Sequence, residues 1–417
     1  MTNAFGSLIK NAFVGESGKG LKDFAVTEAN AEKLAQALCK MRGAALKLGQ
    51  AMSMQEDQFL PEPIKKAFNK ARQSANIMPQ WQLEGILIEA YGIDWLHDNF
   101  KSFDMRPFAA ASIGQVHKAV LLDGQKVVLK IQYPGVSNSI DSDLDNLKRL
   151  MTYTGVFPST MFLDDFIANS RAELKEECDY VLEAQKQIKY AEFAKRIDGV
   201  YVPRIISELS KKNILVMEEI EGIDLETCAK ELSQEERNFI GAKVMEVTLR
   251  EIFDWRFMQT DPNFANFFYN PNNETLYLLD FGAAREYDKQ FSKNYLDTVY
   301  GASNNDPALI LKASIELGFL NGEESKEMIQ AHVNSVLIVG QPFSKPGLFD
   351  FGNQTMTKEI YDLIPVMVKN RLKAPPPEVY SLHRKLSGSY LVNIHMQSKI
   401  PSRQMFMQIY KEVKDKY

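Results

Sequence analysis

Two apolar runs, IGQVHKAVLL and QKVVLKIQY, stand on either side of Asp123-Gly124, and they narrow the folds open to this chain more than any other feature. Both are rich in β-branched residues, and Asp-Gly is a dipeptide of tight hairpin turns, so an antiparallel strand pair is expected here. On both sides the period changes to that of helix. Upstream, Leu34, Leu38, Met41, Ala45, Leu48 and Met52 recur in steps of four and three, the apolar stripe of one long helix. More helix is expected through about Leu96, interrupted at Pro61, Pro63 and Pro79. Downstream, 138–198 reads as charged helix and ILVMEEI (214–220) as a short buried strand. Beyond Gly222 the chain reads as mostly helical, except for a second strand pair in FFYN and TLYLLDFG. Mixed sheet and helix first, helix afterwards, indicates a two-lobed α+β protein.

At 417 residues there is enough chain for two or three domains with buried cores. The 49 Lys and Arg against 54 Asp and Glu leave a net charge of −5, which gives no global basic field of the kind that binds nucleic acid. Three dispersed cysteines (Cys39, Cys178 and Cys228), without a CxxC pair, and five scattered histidines show no zinc-ligand spacing. Free thiols in a reducing compartment are expected. No window approaches the ~18 consecutive apolar residues of a membrane span. The opening MTNAFGSLIKNAFVGESGKG has neither an apolar signal core nor an arginine-rich import pattern.

The chemistry enters with PFAAASIGQVHKAV, Pro107 to Val120. Laid over the kinase phosphate loop G-x-G-x-x-G-x-V, Ala109, Ala111, Gly114 and Val116 fall on the four fixed positions. Two of three glycines are replaced, and on this stretch alone a small-residue structural hairpin is the better reading. Fourteen residues after Val116 stands Lys130, where kinases place the lysine that holds the α- and β-phosphates. MQTDPNFANFFYN then sets Asp261 and Asn266 five apart, the spacing of the kinase catalytic loop. There the aspartate orients or deprotonates the attacking hydroxyl and the asparagine holds Mg²⁺. Fourteen residues beyond Asn266, LLDFG supplies Asp280 as a second metal ligand. Each feature alone is common; the ordered set points to a kinase-like nucleotide site. Lys130 needs an anionic partner, and RAELKEECDYVLEAQ offers Glu173, Glu176, Glu177, Asp179 and Glu183. Pattern alone does not choose among them, and a charge run of this kind reads mostly as a solvated face. Gln259-Thr260-Asp261 replaces His-Arg-Asp, and no Ala-Pro-Glu follows the DFG at short distance, since APPPE comes only at 374–378. Phosphorylation of protein substrates in trans is therefore not expected.

MRGAALKLGQ, FAAASIGQVH, KIQYPGV, EECDYVLEA, MQTDPNFANF and LLDFGAAREYD, in this order, resemble the UbiB-type atypical kinases of coenzyme Q (ubiquinone) biosynthesis, the mitochondrial members above all. The resemblance runs from about Ala29 to PPPEVYSLHRKLSG. It implies a two-lobed protein-kinase-like fold whose helical N-terminal extension carries a KxGQ motif, here Lys47 to Gln50, packed over the active site. It implies Glu183 as the partner of Lys130, and a regulatory set of Lys47, Gln50, Glu177 and Asp179. It extends the cofactor-binding set to Ala109, Ala110, Ala111, Ser112, Gly114, Val116, Lys130, Glu218 and Ile220. The organisation expected is a loose segment 1–28, a helical extension 29–106, an N-lobe 107–222 with inserted helices, and a helical C-lobe 223–417.

The family's activity implies Mg²⁺-dependent ATP hydrolysis, with ATP/ADP and Mg²⁺ as cofactors. Expected partners are other coenzyme Q biosynthesis proteins, an isoprenoid phenolic lipid and an anionic membrane surface, with a homodimer also carried. The expected location is the matrix side of the inner mitochondrial membrane, or a bacterial membrane surface as the alternative. Two other readings remain: a small-molecule or lipid phosphotransferase, and a nucleotide-gated pseudokinase scaffold.

Overall fold

A computed structural model describes residues 77–111, 113–154, 163–370 and 377–417. The apolar stripe at 34–52, Lys47, Gln50, Cys39 and Ser112 lie outside the described residues. The first elements among the described residues are α1 (Gln80–Tyr91) and α2 (Trp95–Asn99), separated by Gly92 at φ +94°, a conformation that suits glycine. Leu83, Ile86 and Leu87 of α1 are buried in the core of the first sheet.

That sheet is antiparallel in the order β1 (Phe100–Phe103), β3 (Gly114–Leu121), β4 (Lys126–Gln132), β6 (Ile214–Glu218), with β2 (Ala109–Ala110) pairing on β3. The expected hairpin is present: Val116 lies opposite Lys130, and Gly124 in the connecting turn has φ +90°. β1, ahead of the Ala-rich loop, was not anticipated. Its alternation is short, and its aromatic rings join an edge-to-face cluster of Trp95, Phe100 and Phe103. The strand containing Lys130 runs to Gln132, as the QKVVLKIQY pattern leads one to expect. Between β4 and β6 come α3 (Val136–Thr154), α4 (Leu163–Glu177), α5 (Tyr180–Ala194) and the short β5 (Val200–Tyr201).

β7 (Ile223–Asp224), α6 (Leu225–Glu231) and α7 (Gln234–Arg250) open the second lobe. A π-helical turn, Glu251–Trp255, follows and ends at Arg256 in the left-handed region, φ +52°. β8 (Phe257–Gln259) pairs with β11 (Ala284–Glu286); between them lies the expected hairpin of β9 (Phe267–Asn270) and β10 (Thr275–Leu278), in a four-stranded sheet β5-β10-β9-β7. The rest is largely helix: α8 (Lys289–Ser303), α9 (Pro307–Glu316), α10 (Lys326–Val339), α11 (Gln341–Ser344), α12 (Met356–Asn370), α13 (Pro377–His395) and α14 (Ser402–Val413). A small ladder of β12 (Phe349–Asp350) and β13 (Lys399–Ile400) closes it. Among the described residues no helix is long and apolar enough to cross a membrane. Cys178 and Cys228 are buried free thiols, raised by burial to about 11 and about 12.

Candidate nucleotide site

Helix α5 is the element that builds the site. Asp179 caps it: one carboxylate oxygen accepts from the amides of Val181 and Leu182, two donors that a helix start otherwise leaves open. The cap fixes the first turn, and Tyr180 and Glu183, three apart, then share one face. Both meet Lys130, which reaches across from β4. Its Nζ lies 2.7 Å from Glu183 Oε1, 3.7 Å from Asp280 Oδ2, and 5.1 Å from the centre of the Tyr180 ring. Lys130 and Glu183 are almost entirely buried, whereas the Asp280 side chain is 40% exposed.

Burial holds the Glu183 carboxyl up at about 7 even though the facing Lys130 pulls it down. Burial also works against the charge on Lys130, but Asp280 and then Glu183 outweigh it, and its pKa stands well above the ordinary lysine value. The ammonium is thus a fixed positive charge, with one anion tied to a helix and the other facing the open side.

The expectation of a solvated acidic face is corrected here. Glu183 and Glu177 are buried, Glu176 pairs with Lys186, and Glu173 lies 3.6 Å from Arg285. The helix faces a second lobe rather than water, which a charge pattern read in isolation does not reveal. Lys186 Nζ also donates to the Gly282 carbonyl at 2.9 Å, and a Cβ on Gly282 would stand 3.6 Å from Glu183 Oε2. Asp179 serves as a helix cap, and Glu177 comes within 3.8 Å of the same Gly282 position.

Asp280 adopts φ +58°, the left-handed region that aspartate tolerates better than most residues. The turn is held by its own Oδ1, which accepts from the Gly282 amide at 3.3 Å, and by Gln259 Nε2 donating to its carbonyl at 3.0 Å. The loop from Asp261 to Asn266 is a chain of side-chain-to-backbone bonds. Asp261 Oδ1 accepts from Asn263 N, Asn263 Oδ1 accepts from Ala265 N, and Asn266 Nδ2 donates to the Asp261 carbonyl at 3.3 Å. The Leu279 amide, beside Asp280, donates to the Asn266 carbonyl at 2.9 Å, so the loop and the DFG turn share one frame.

With its amide nitrogen committed, Asn266 is left with an oxygen to offer, and Asp280 adds a carboxylate. Two hard oxygen donors suit Mg²⁺, which commonly takes the remainder of its shell from phosphate and water. Among the described residues no group of three or more His, Cys, Asp or Glu could hold a metal by themselves, so an ion here would depend on the nucleotide.

The Ala-rich loop is a narrow strand–turn–strand. Ala109 and Ala110 pair with Val116 and Gln115, and the Ala111 amide donates to the Gly114 carbonyl at 2.9 Å. None of Ala109, Ala110 or Ala111 uses positive φ, so alanine costs this conformation nothing. Gly114 is required for space: a Cβ there would lie 2.4 Å from the Ile131 carbonyl oxygen.

Glu218 ends β6 and Ile220 lies two residues farther along the chain. The Glu218 carboxylate accepts from the Tyr201 hydroxyl at 2.7 Å, and its amide donates to the Arg204 carbonyl, so both groups are already engaged.

Tyr180 is a residue that pattern reading missed, although its position three before Glu183 was a usable signal. It is fully buried and its hydroxyl has no hydrogen-bond partner. Also missed was the pair Glu251 and Lys385, 2.9 Å apart beneath Gln259. No local signal marks a contact between residues 134 apart in sequence.

A sequence profile described as the ABC1 atypical kinase-like domain matches residues 70–314. The chain is 42% identical over 414 residues to the zebrafish "Atypical kinase COQ8B, mitochondrial", covering 99% of this chain and 66% of that protein. It is 45% identical over 389 residues to the Caenorhabditis elegans "Atypical kinase coq-8, mitochondrial", covering 92% of this chain and 51% of that protein. The chain thus spans between half and two thirds of the length of these two relatives. In fold it is similar to Rv3197 in its erythromycin complex from Mycobacterium tuberculosis, with TM-score 0.66 at 23% identity over 93% of this chain and 96% of that one. The chain belongs to the ABC1 atypical kinase-like family and is similar to mitochondrial COQ8 members of it.

Proposed function

We propose that this chain binds an adenine nucleotide with Mg²⁺ at Lys130 and hydrolyses ATP in support of coenzyme Q biosynthesis. The observation that carries the reading is the placement of the Lys130 ammonium, 2.7 Å from Glu183 and 3.7 Å from Asp280. A buried lysine held by a helix carboxylate and aimed toward a half-exposed aspartate is the charge clamp that phosphoryl transfer uses.

In this reading Lys130 holds the α- and β-phosphates, and the backbones of Ala109, Ala110, Ala111 and Gly114 lie over them. Asn266 and Asp280 would hold the metal ion, which when bound would supply positive charge against the negative charge developing on the phosphate oxygens. Asp261, at the mouth of its turn, orients the attacking water and takes its proton, a role worth about 10²–10⁴ in rate. Gln259-Thr260 in place of His-Arg, and the lack of a nearby Ala-Pro-Glu, leave no platform for a peptide, which favours hydrolysis or a small acceptor over protein phosphorylation.

The names of the relatives support a mitochondrial setting. We place the chain's action at the matrix face of the inner membrane, alongside coenzyme Q enzymes, on isoprenoid phenolic precursors or on assembly of those enzymes. A nucleotide-gated scaffold is the less favoured reading, because it has no need of both Asn266 and Asp280. The test is Mg²⁺-dependent phosphate release from ATP, with and without anionic liposomes, beside Asp280→Asn. Release that is lost in the variant and stimulated by liposomes is expected. Release unaffected by Asp280→Asn would remove the assignment.

A further inference from the structure

The catalytic loop has Thr260 where kinases carry the arginine that docks a phosphorylated activation segment, yet it is anchored from another direction. Helix α13 presents Ser381, Arg384, Lys385 and Gly388 at spacings of three, one and three, which is a single helical face. Every one of them meets the catalytic loop or what supports it. Arg384 Nε donates to the Thr260 carbonyl at 3.0 Å, and its Nη2 lies 3.4 Å from Thr260 Oγ1, which itself donates to the Ala283 carbonyl at 2.8 Å. The buried Lys385 donates to Glu251 Oε1 at 3.1 Å, pairs as an ion with Oε2 2.9 Å away, and reaches Gln259 Oε1 at 3.4 Å.

Glu251 is a junction. It accepts from the Gln259 amide at 3.0 Å and from the Tyr190 hydroxyl of α5 at 2.7 Å, while Gln259 Nε2 holds the Asp280 carbonyl. Gly388 has no side chain because Pro262 occupies that space: a Cβ would lie 2.0 Å from Pro262 Cβ. Ser381 Oγ lies 2.7 Å from the Tyr287 hydroxyl, beyond the DFG turn.

We propose that α13 is a constitutive brace for the catalytic loop, with Arg384, Lys385 and Gly388 as positioning residues that set Asp261 relative to Asp280. The brace takes the place of an activation-segment dock, so the loop stands in its working conformation without phosphorylation. None of these three residues lies in the Lys130–Glu183 clamp, so they govern turnover rather than nucleotide capture. The consequence for rate rests on the ATP-hydrolysis reading above; the brace itself does not.

The test uses the full chain, with Arg384→Met, Arg384→Lys and Gly388→Ala, in two readouts. In hydrogen–deuterium exchange, amides of 257–267 should exchange about tenfold or more faster in Arg384→Met and Gly388→Ala, with β3 and β4 unchanged and Arg384→Lys nearer the parent. In steady-state hydrolysis, kcat should fall about 100-fold, the scale expected for a displacement of about 1 Å at a reacting group, while nucleotide Kd stays within about threefold. Parent-like exchange across 257–267 overturns the brace. So does a rise shared equally by β3 and β4, which would make these residues general supports of the fold. A parent that releases no phosphate refutes the ATP-hydrolysis reading alone, and the exchange data still decide the brace.

Discussion

Replacing Glu183 by glutamine keeps the volume of the side chain and removes its charge. Lys130 and Glu183 expose only 9% and 1% of their side chains, so the ammonium would be left in a dry site without its nearest anion. Breaking a buried pair by removing one partner costs about 3–5 kcal/mol. Glutamine can still accept a hydrogen bond from Nζ, which restores about 1 kcal/mol. Asp280 at 3.7 Å is too exposed to restore much more, since pairs open to solvent are worth about 0–1 kcal/mol. A net loss of about 2–3 kcal/mol of attraction on the Lys130 ammonium follows, and if Lys130 swings toward solvent, nucleotide affinity falls about 30- to 150-fold.

The pH dependence supplies an independent check. Burial lifts the Glu183 carboxyl from its ordinary 4.5 to about 7. A carboxyl raised in the folded state favours folding fully below the unfolded value, and that contribution is lost as pH climbs through the folded value. Relative to Glu183→Gln, wild-type stability should therefore decline between pH 4.5 and about 7. Nucleotide affinity should rise over the same window, because ionised Glu183 holds Lys130 more tightly than the neutral acid does. Denaturant midpoints and calorimetric affinities at pH 5.5, 7 and 8.5 would read both effects. A variant within about 0.5 kcal/mol of wild type, with unchanged affinity and the same pH slopes, would refute the clamp, since that is the range of an ordinary surface substitution.

Three further substitutions probe the frame. Gly114→Ala forces a Cβ to within 2.4 Å of a backbone oxygen at Ile131, next to Lys130, and overpacking of this kind costs about 1–3 kcal/mol. A lower Tm and weaker nucleotide binding are expected; wild-type values for both would show that the strands separate without cost. Asp179→Ala removes the cap of α5 at about 1 kcal/mol, and severalfold weaker nucleotide binding should follow from the loosened first turn. Unchanged affinity would uncouple the cap from the clamp. Ala109→Gly should shift the ATP/ADP affinity ratio by loosening the loop over the phosphates, and an unchanged ratio would sink that role for alanine.

The two hairpins were legible because each is local: alternation and an Asp-Gly turn fix β3 and β4 without help from distant chain. Lys130, Asp261, Asn266 and Asp280 were legible for another reason, since phosphoryl transfer needs fixed residue types in a fixed order. The charge run of α4 and α5 misled, because which of its carboxylates are buried depends on the DFG turn some hundred residues away. β1 and β8 are three or four residues long, below the length at which alternation carries a signal. Glu251 and Lys385 each look like surface residues in sequence, and only their pairing across 134 positions makes burial tolerable.

The measurement that goes most directly to the central claim is the fate of the γ-phosphate of labelled ATP, followed with the wild-type chain and Asp261→Asn. The account predicts label in inorganic phosphate, dependent on Mg²⁺, with the rate in the variant lower by about 10²–10⁴. Label that never leaves ATP, or that leaves equally fast in Asp261→Asn, would contradict it.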